Sequence, residues 1–150
     1  MKCGLVVLTL AACTLAGCAA HQAQQQPEDR AAANAELVTQ AKAAEADCNA
    51  KFHADPMTAV DNPKTAVARM KCLNDAFTIL MPSFAPDGDL AVAYLADRLA
   101  IAERVQAGKL TPAAANAAIA KRWSQVVADG QKRADARNAA ATQTATVRQH

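Results

Sequence analysis

The sequence feature that most constrains how this chain is processed and folded is an apolar run of twelve residues near its start, residues 5–16. The run follows a basic residue, Lys2, and ends in small residues, which is the layout of a secretory signal peptide. As a helix it would span roughly 18 Å, well short of the ~30 Å hydrocarbon core of a bilayer, so it does not predict a permanent transmembrane helix. We therefore expect residues 1–17 to be a signal peptide that is removed on export.

The apolar run ends in Leu15-Ala16-Gly17-Cys18, which closely resembles the lipobox of bacterial lipoproteins. In that family a diacylglycerol is attached to the cysteine sulfur, and the chain is cut just before the cysteine. The resemblance implies a lipid on Cys18 and attachment of the chain to the membrane of the bacterial cell envelope through this N-terminal lipid. Ala19 does not resemble the aspartate that marks inner-membrane retention, which favours the outer membrane, facing the periplasm. The alternative is an ordinary signal peptide with a chance cysteine.

The expected mature chain, residues 18–150, is rich in alanine and poor in large apolar residues. Leu, Ile, Val and Phe account for 21 of its 133 residues, and 15 basic residues face 14 acidic ones. Low hydrophobicity predicts disorder when the net charge is also large, and here the net charge is small. Because alanine is the strongest helix former, the composition predicts an all-α fold, a small antiparallel bundle of helical hairpins with a thin core.

The first half of the mature chain predicts a tether followed by two helices. Residues 18–27 are polar and glutamine-rich after the lipidated cysteine, which predicts a flexible tether. Apolar residues then recur at steps of three and four over residues 28–54 and again over residues 63–80, which predicts two amphipathic helices. Asn62 is expected as the N-cap of the second helix and Pro63 as its first residue.

The second half predicts a loop over residues 81–88 and then two more helices. Residues 89–107 form the third, and Gly108, Thr111 and Pro112 predict a short antiparallel turn into the fourth. Gly108 suits a left-handed position, Thr111 an N-cap and Pro112 a first helical turn. The helical domain is expected over residues 28–137, and residues 138–150 are expected to form a frayed tail.

The cysteine pattern predicts one disulfide. Cys3 and Cys13 leave with the signal peptide and Cys18 carries lipid, so Cys48 and Cys72 are the remaining pair in an oxidising periplasm. They lie twelve residues on either side of residue 60, in the break between the first two helices, so an antiparallel hairpin would bring them level. The alternative is two separate buried thiols.

The sequence predicts no enzyme, no cofactor and no metal site. Neither Ser83 nor Ser124, the two serines of the mature chain, lies in a GxSxG motif. The histidines have no partners at the spacing of a zinc site. Asp87 and Asp89 suggest a calcium loop, but alanine and arginine stand at two of the positions where oxygen ligands are required.

The C-terminal part of the chain is basic. From residue 121 onward six basic residues face two acidic ones, a balance of +4, whereas residues 19–120 carry nine against twelve, a balance of −3. This end is a candidate contact for an anionic surface such as phospholipid headgroups or peptidoglycan, and the alternative is a solvated helix face that complements the helix dipole. Nucleic acid is not expected as a partner, because the predicted compartment is the cell envelope. The candidate residues are Lys121, Arg122, Lys132, Arg133 and Arg137.

The stretches CNAKF (48–52), ARMKCLNDAF (68–77) and RLAIAERVQAGKLTPAAANAAIAKRW (98–123) resemble a group of small uncharacterised lipoproteins of α-proteobacteria. That resemblance implies no activity. The leading hypothesis is a lipid-anchored, non-enzymatic helical lipoprotein that binds envelope components: peptidoglycan, anionic lipid or protein. The alternative is an accessory subunit of an envelope machine, such as a secretion, efflux or surface-exclusion system, in which the apolar stretch over residues 90–105 would bury against a partner.

Overall fold

The structure, a computed structural model, describes the backbone of residues 15–147 and the side chains of residues 31–147. All the regular secondary structure in this part of the chain is helical, and it contains no strand. The helices are α1 (Leu15–Phe52), α2 (Ala66–Thr78), a 3-10 helix (Met81–Phe84), α3 (Gly88–Gln106) and α4 (Pro112–Val147). The predicted all-α fold is confirmed.

The chain divides into two compact units, Met1–Glu36 and Leu37–His150. The first is described from residue 15 onward, as the N-terminal part of α1. α1 thus begins well before residue 28, and residues 19–27 are helical where the sequence analysis expected a flexible tether. The reason lies in their composition, because alanine and glutamine, which make up most of this segment, both favour helix.

The second unit is built around α3, which packs against both α2 and α4. Its core is thin because many of the buried positions hold alanine, which lets the helices approach closely. Val60, from the segment between α1 and α2, completes the core. The buried cluster comprises Val60, Ala66, Met70, Tyr94, Ala102, Val105, Ala115, Ile119 and Val126.

A disulfide joins Cys48 of α1 to Cys72 of α2, with the two Cα atoms 5.8 Å apart. The predicted pairing is therefore confirmed. The bond closes a loop with a sequence separation of 24. In the chain-entropy description a loop of this size stabilises the fold by roughly 3 kcal/mol, a large share of the total for a domain with a thin core.

The turn between α3 and α4 has the predicted geometry. Gly108 adopts a left-handed φ of 69°. The Lys109 amide donates to the carbonyl of Arg104 at 2.8 Å, which closes the end of α3. The Thr111 hydroxyl accepts a hydrogen bond from the Ala114 amide at 3.3 Å and caps α4. These local signals thus set the antiparallel connection of the two helices.

The α1–α2 connector, residues 53–65, differs from expectation at its end. α2 begins at Ala66 rather than at Pro63, because the Asn62 side chain accepts a hydrogen bond from the Lys64 amide at 3.0 Å and closes a turn instead of capping the helix. Asn116 of α4 holds the connector from the other side. Its amide accepts from the Ala59 and Val60 nitrogens at 3.1 and 2.9 Å and donates to the Val60 carbonyl at 2.8 Å.

The C-terminal helix is longer than the sequence analysis expected. α4 continues to Val147, so the frayed tail expected from residue 138 is helical as far as the structure describes it. Alanine again explains the difference, since residues 139–141 are all alanine. The hydroxyls of Thr142, Thr144 and Thr146 donate to carbonyls one turn earlier, which keeps their polar groups satisfied within the helix.

Candidate functional site

A cleft of about 480 Å³ lies within the second unit, between residues of all four α-helices. We call it the Arg98 cleft. Its walls are mostly apolar, with Ala41 from α1, Leu73 and Ala76 from α2, and Ile119 from α4. Three charged side chains line it as well: Lys42, Glu45 and Arg98. A cavity of this volume falls within the range of roughly 300–1,000 Å³ that is typical of small-molecule sites.

Aromatic side chains from three helices converge at the cleft. Phe77 of α2, Tyr94 of α3 and Trp123 of α4 all line it, with ring centroids 5.2 to 6.0 Å apart. Phe84 joins the group behind them, 5.4 Å from the Phe77 ring. Trp123 retains 36% exposure, so the cluster forms a wall that solvent reaches instead of a closed core. Sequence analysis missed this convergence because the four residues are widely separated along the chain.

Arg98 is the exceptional residue of the cleft. Its side chain is only 8% exposed, its guanidinium lies 5.4 Å from the centre of the Tyr94 ring, and its buried Nε has no hydrogen-bond partner within residues 31–147. Among residues 31–147 no carboxylate lies within 4.0 Å to form an ion pair with it. Burial lowers the pKa of Arg98 from its ordinary value, against the opposing influence of Tyr94 and Glu45. Burial raises the pKa of the Tyr94 hydroxyl.

Arg69, the other buried arginine described, has a structural role and serves as a comparison for Arg98. It is 1% exposed, and its Nη2 donates to the Asn49 side chain and to the carbonyls of Asp55 and Thr58 at 2.7 to 2.9 Å. Its Nη1 lies 3.2 Å from a carboxylate oxygen of Asp61. Arg69 therefore joins the α1–α2 connector to α2, whereas Arg98 forms no ion pair within residues 31–147.

The basic residues of α4 take part in ion pairs within the chain. Arg137 binds Asp87 with both Nη atoms, at 2.9 and 2.8 Å, and Arg133 binds Asp89 in the same way at 2.7 and 2.9 Å. The hydrogen bonds to Arg137 and Arg133 hold the pKa values of Asp87 and Asp89, respectively, below their ordinary value of 3.8. The same pairs raise the pKa values of the two arginines. These pairs fasten α4 to the start of α3.

The other predicted surface cations are spread along α4. Arg122 pairs with Asp97 of α3, and Lys132 pairs with Asp129 one turn earlier at 3.4 Å. Lys121 is exposed. The structure therefore does not bring the five cations together as one patch of unpaired charge, and contact with an anionic surface stays a prediction.

The predicted lipidation site lies at the edge of what the structure describes. The backbone of Cys18 belongs to the first turn of α1, but its side chain is outside the described residues, as are residues 1–14 of the predicted signal peptide. Of the helices described, none combines the length and the apolarity needed to cross a bilayer. Within the described residues, no three His, Cys, Asp or Glu side chains come together as metal ligands would.

No protein-family model, curated protein or solved structure matches the chain. The function therefore has to be inferred from the residues themselves. Arg98 could have been found from the sequence, because it occupies the same face of α3 as the buried residues Ala91, Tyr94, Ala102 and Val105, at steps of three and four.

Proposed function

We propose that this chain is a lipid-anchored, non-enzymatic helical lipoprotein of the bacterial envelope, and that its second unit binds another envelope component in the Arg98 cleft. The observation that carries the proposal is the cleft itself. A core in which many positions hold alanine packs helices closely, yet here three aromatic side chains and one buried cation surround an open space. Apolar walls with a few convergent polar groups are typical of binding sites.

Features of the sequence support the proposed location in the cell envelope. The lipobox around Cys18 favours a membrane anchor, and the absence of aspartate after it favours the outer membrane, facing the periplasm. The disulfide between Cys48 and Cys72 fits an oxidising compartment. Peptidoglycan, anionic lipid and envelope proteins are the components within reach of a domain tethered there.

The second candidate function, an accessory subunit of an envelope machine, needs a docking surface. The apolar stretch over residues 90–105 was expected to provide one, but Tyr94, Ala102 and Val105 are buried in the core of the chain itself. Leu90, Leu95 and Ile101 pack against that core. A partner would have to use another surface, so the structure favours the cleft over this stretch as the binding element.

Photocrosslinking in the native envelope tests the proposed function. A photoreactive amino acid at Val38, which is 41% exposed at the rim of the cleft, should give adducts that mass spectrometry resolves. The matched control is Val92, which is 58% exposed and does not line the cleft. Equal crosslinking from the two positions, or none from Val38, would contradict binding in the cleft.

A further inference from the structure

Given the proposed function, on which this inference rests, we infer that the Arg98 cleft binds a small organic monoanion with a carboxylate head and an apolar tail, with the carboxylate on the Arg98 guanidinium. The first observation is the state of Arg98. It is 8% exposed, it lines the cleft, and no carboxylate among residues 31–147 lies within ion-pair distance of it. Burying a charge without a partner is strongly unfavourable. An anion bound in the cleft would give the guanidinium an ion-pair partner.

Arg69 provides the comparison within the same fold. That residue is even more deeply buried, and its Nε also has no hydrogen-bond partner within residues 31–147, but three oxygen acceptors surround its Nη2 and a carboxylate lies beside its Nη1. The two terminal nitrogens of the Arg69 guanidinium thus have partners within the chain. No such set surrounds Arg98 among residues 31–147, so the partner of Arg98 is expected to come from outside the chain.

The charges lining the cleft select a single negative charge. Lys42 and Arg98 contribute two positive charges and Glu45 one negative charge, which leaves a formal balance of +1. A carboxylate neutralises that balance, whereas a phosphate dianion would add a second negative charge close to Glu45. The planar guanidinium also matches a carboxylate, since it can donate two parallel hydrogen bonds to its two oxygens.

The walls select an apolar tail. Leu73, Leu80 and Ile119 provide aliphatic surface, and the rings of Phe77 and Trp123 provide aromatic surface. Burying apolar surface against these walls contributes roughly 25 cal/mol for each Å² removed from water. The volume of about 480 Å³ lies in the lower half of the usual range for such sites, which favours a short acyl or aromatic acid over a long fatty acid.

Trp123 is the single tryptophan of the chain and lines the cleft, so its fluorescence reports on ligands that bind there. The full chain in phosphatidylcholine vesicles is titrated with octanoate, 1-octanol and octyl phosphate. We expect a saturable change in Trp123 emission with octanoate, and binding of 1-octanol about 10- to 100-fold weaker, which is the usual contribution of hydrogen bonds to a charged group. Octyl phosphate should bind more weakly than octanoate.

Variants separate the role of Arg98 from that of the walls. Arg98→Met should weaken octanoate binding about 10- to 100-fold and leave 1-octanol binding nearly unchanged, and Arg98→Lys should restore part of the loss. Arg104→Met is the matched control, because Arg104 is an exposed arginine of the same helix that does not line the cleft. This control should bind octanoate as the wild type does.

Three results would overturn the inference: equal binding of octanoate and 1-octanol by the wild type, tighter binding of octyl phosphate than of octanoate, or no saturable response to octanoate. The first two comparisons need no variant, so they hold even if Arg98→Met fails to fold. Crosslinking from Val38 without octanoate binding would refute the ligand class and leave the proposed function standing. Octanoate binding without crosslinking in the envelope would refute the proposed function alone.

Discussion

Replacing each of the two buried arginines by methionine should have opposite effects on the stability of the fold. Methionine keeps much of the volume and flexibility of the arginine stem but removes the charge and all the donors. The substitution therefore tests whether each guanidinium stabilises the fold or destabilises it. Arg69 and Arg98 form a matched pair, since both are on helices and both are buried.

For Arg69 the expected loss is large. Its three hydrogen bonds tie α2 to the end of α1 and to the connector, and the substitution leaves those oxygens without their donor. Hydrogen bonds to charged groups contribute about 1.5–3 kcal/mol each, and removal of one member of a buried ionic network costs about 3–5 kcal/mol. We expect Arg69→Met to lower the free energy of unfolding by about 3–5 kcal/mol.

For Arg98 the expected change is close to zero or favourable. The substitution gives up the contact with the Tyr94 ring, an effect of about 0.5–2 kcal/mol, but it also removes the cost of burying an unpaired charge, which is several kcal/mol. Arg98→Met should therefore be as stable as the wild type or more stable, by up to about 2 kcal/mol.

Urea unfolding of the full chain at pH 7, followed by circular dichroism with the disulfide intact, measures both effects. The slope of the transition should stay unchanged, so that the shift in midpoint reports stability. A loss at Arg98→Met that approaches the loss at Arg69→Met would show that Arg98 is a structural residue. That result would refute the assignment of its guanidinium to an external anion.

Three further predictions concern other parts of the chain. Gly108→Ala should destabilise the fold by about 1–2 kcal/mol because Gly108 has a φ of 69°, whereas Gly130→Ala, in open space within α4, should stabilise it by up to about 1 kcal/mol; thermal unfolding of both variants compares them. Wild-type stability should fall as the pH drops below about 4, because the aspartate partners of Arg133 and Arg137 have pKa values below their ordinary 3.8 in the folded state and their contribution is lost as they protonate. In urea unfolding, the double variant Arg133→Gln/Arg137→Gln should be less stable than the wild type at pH 7 and should depend less on pH. An identical pH dependence of the two proteins would contradict the pairing. Cys18→Ser should abolish palmitate labelling and block removal of the signal peptide, and label that persists in the variant would contradict the anchor.

Local signals predicted much of the fold. The turn at Gly108 and Thr111 was predictable because a left-handed glycine and an N-cap each depend on a few adjacent residues. The disulfide was predictable because the expected export and lipidation would leave only Cys48 and Cys72 free, and the break near residue 60 brings these two residues level in a helical hairpin. Two of the predictions that differed, for residues 19–27 and 138–147, concern alanine- and glutamine-rich segments in which helix propensity prevailed over the lack of large apolar residues.

The candidate site depends on tertiary arrangement, and the sequence analysis missed it. The ion pairs of Arg133 and Arg137 follow from the antiparallel register of α3 and α4, since residues 89 and 133 both lie 22 positions from residue 111. The predicted turn at Gly108 and Thr111 already implies that register, so these ion pairs could have been predicted from the sequence. The cleft was harder to predict from the sequence, because a gap between helices depends on the volumes of side chains from four segments.

Native mass spectrometry of the full chain isolated from its native cells tests the central claim most directly. We expect a fraction of the protein to carry a non-covalent adduct of small mass, which organic solvent releases as a carboxylic acid. The adduct should be absent from Arg98→Met and present in Arg104→Met, since the second arginine does not line the cleft. Wild-type protein without any adduct, or an adduct retained equally by Arg98→Met, would contradict the claim that the Arg98 cleft is a binding site for an organic anion.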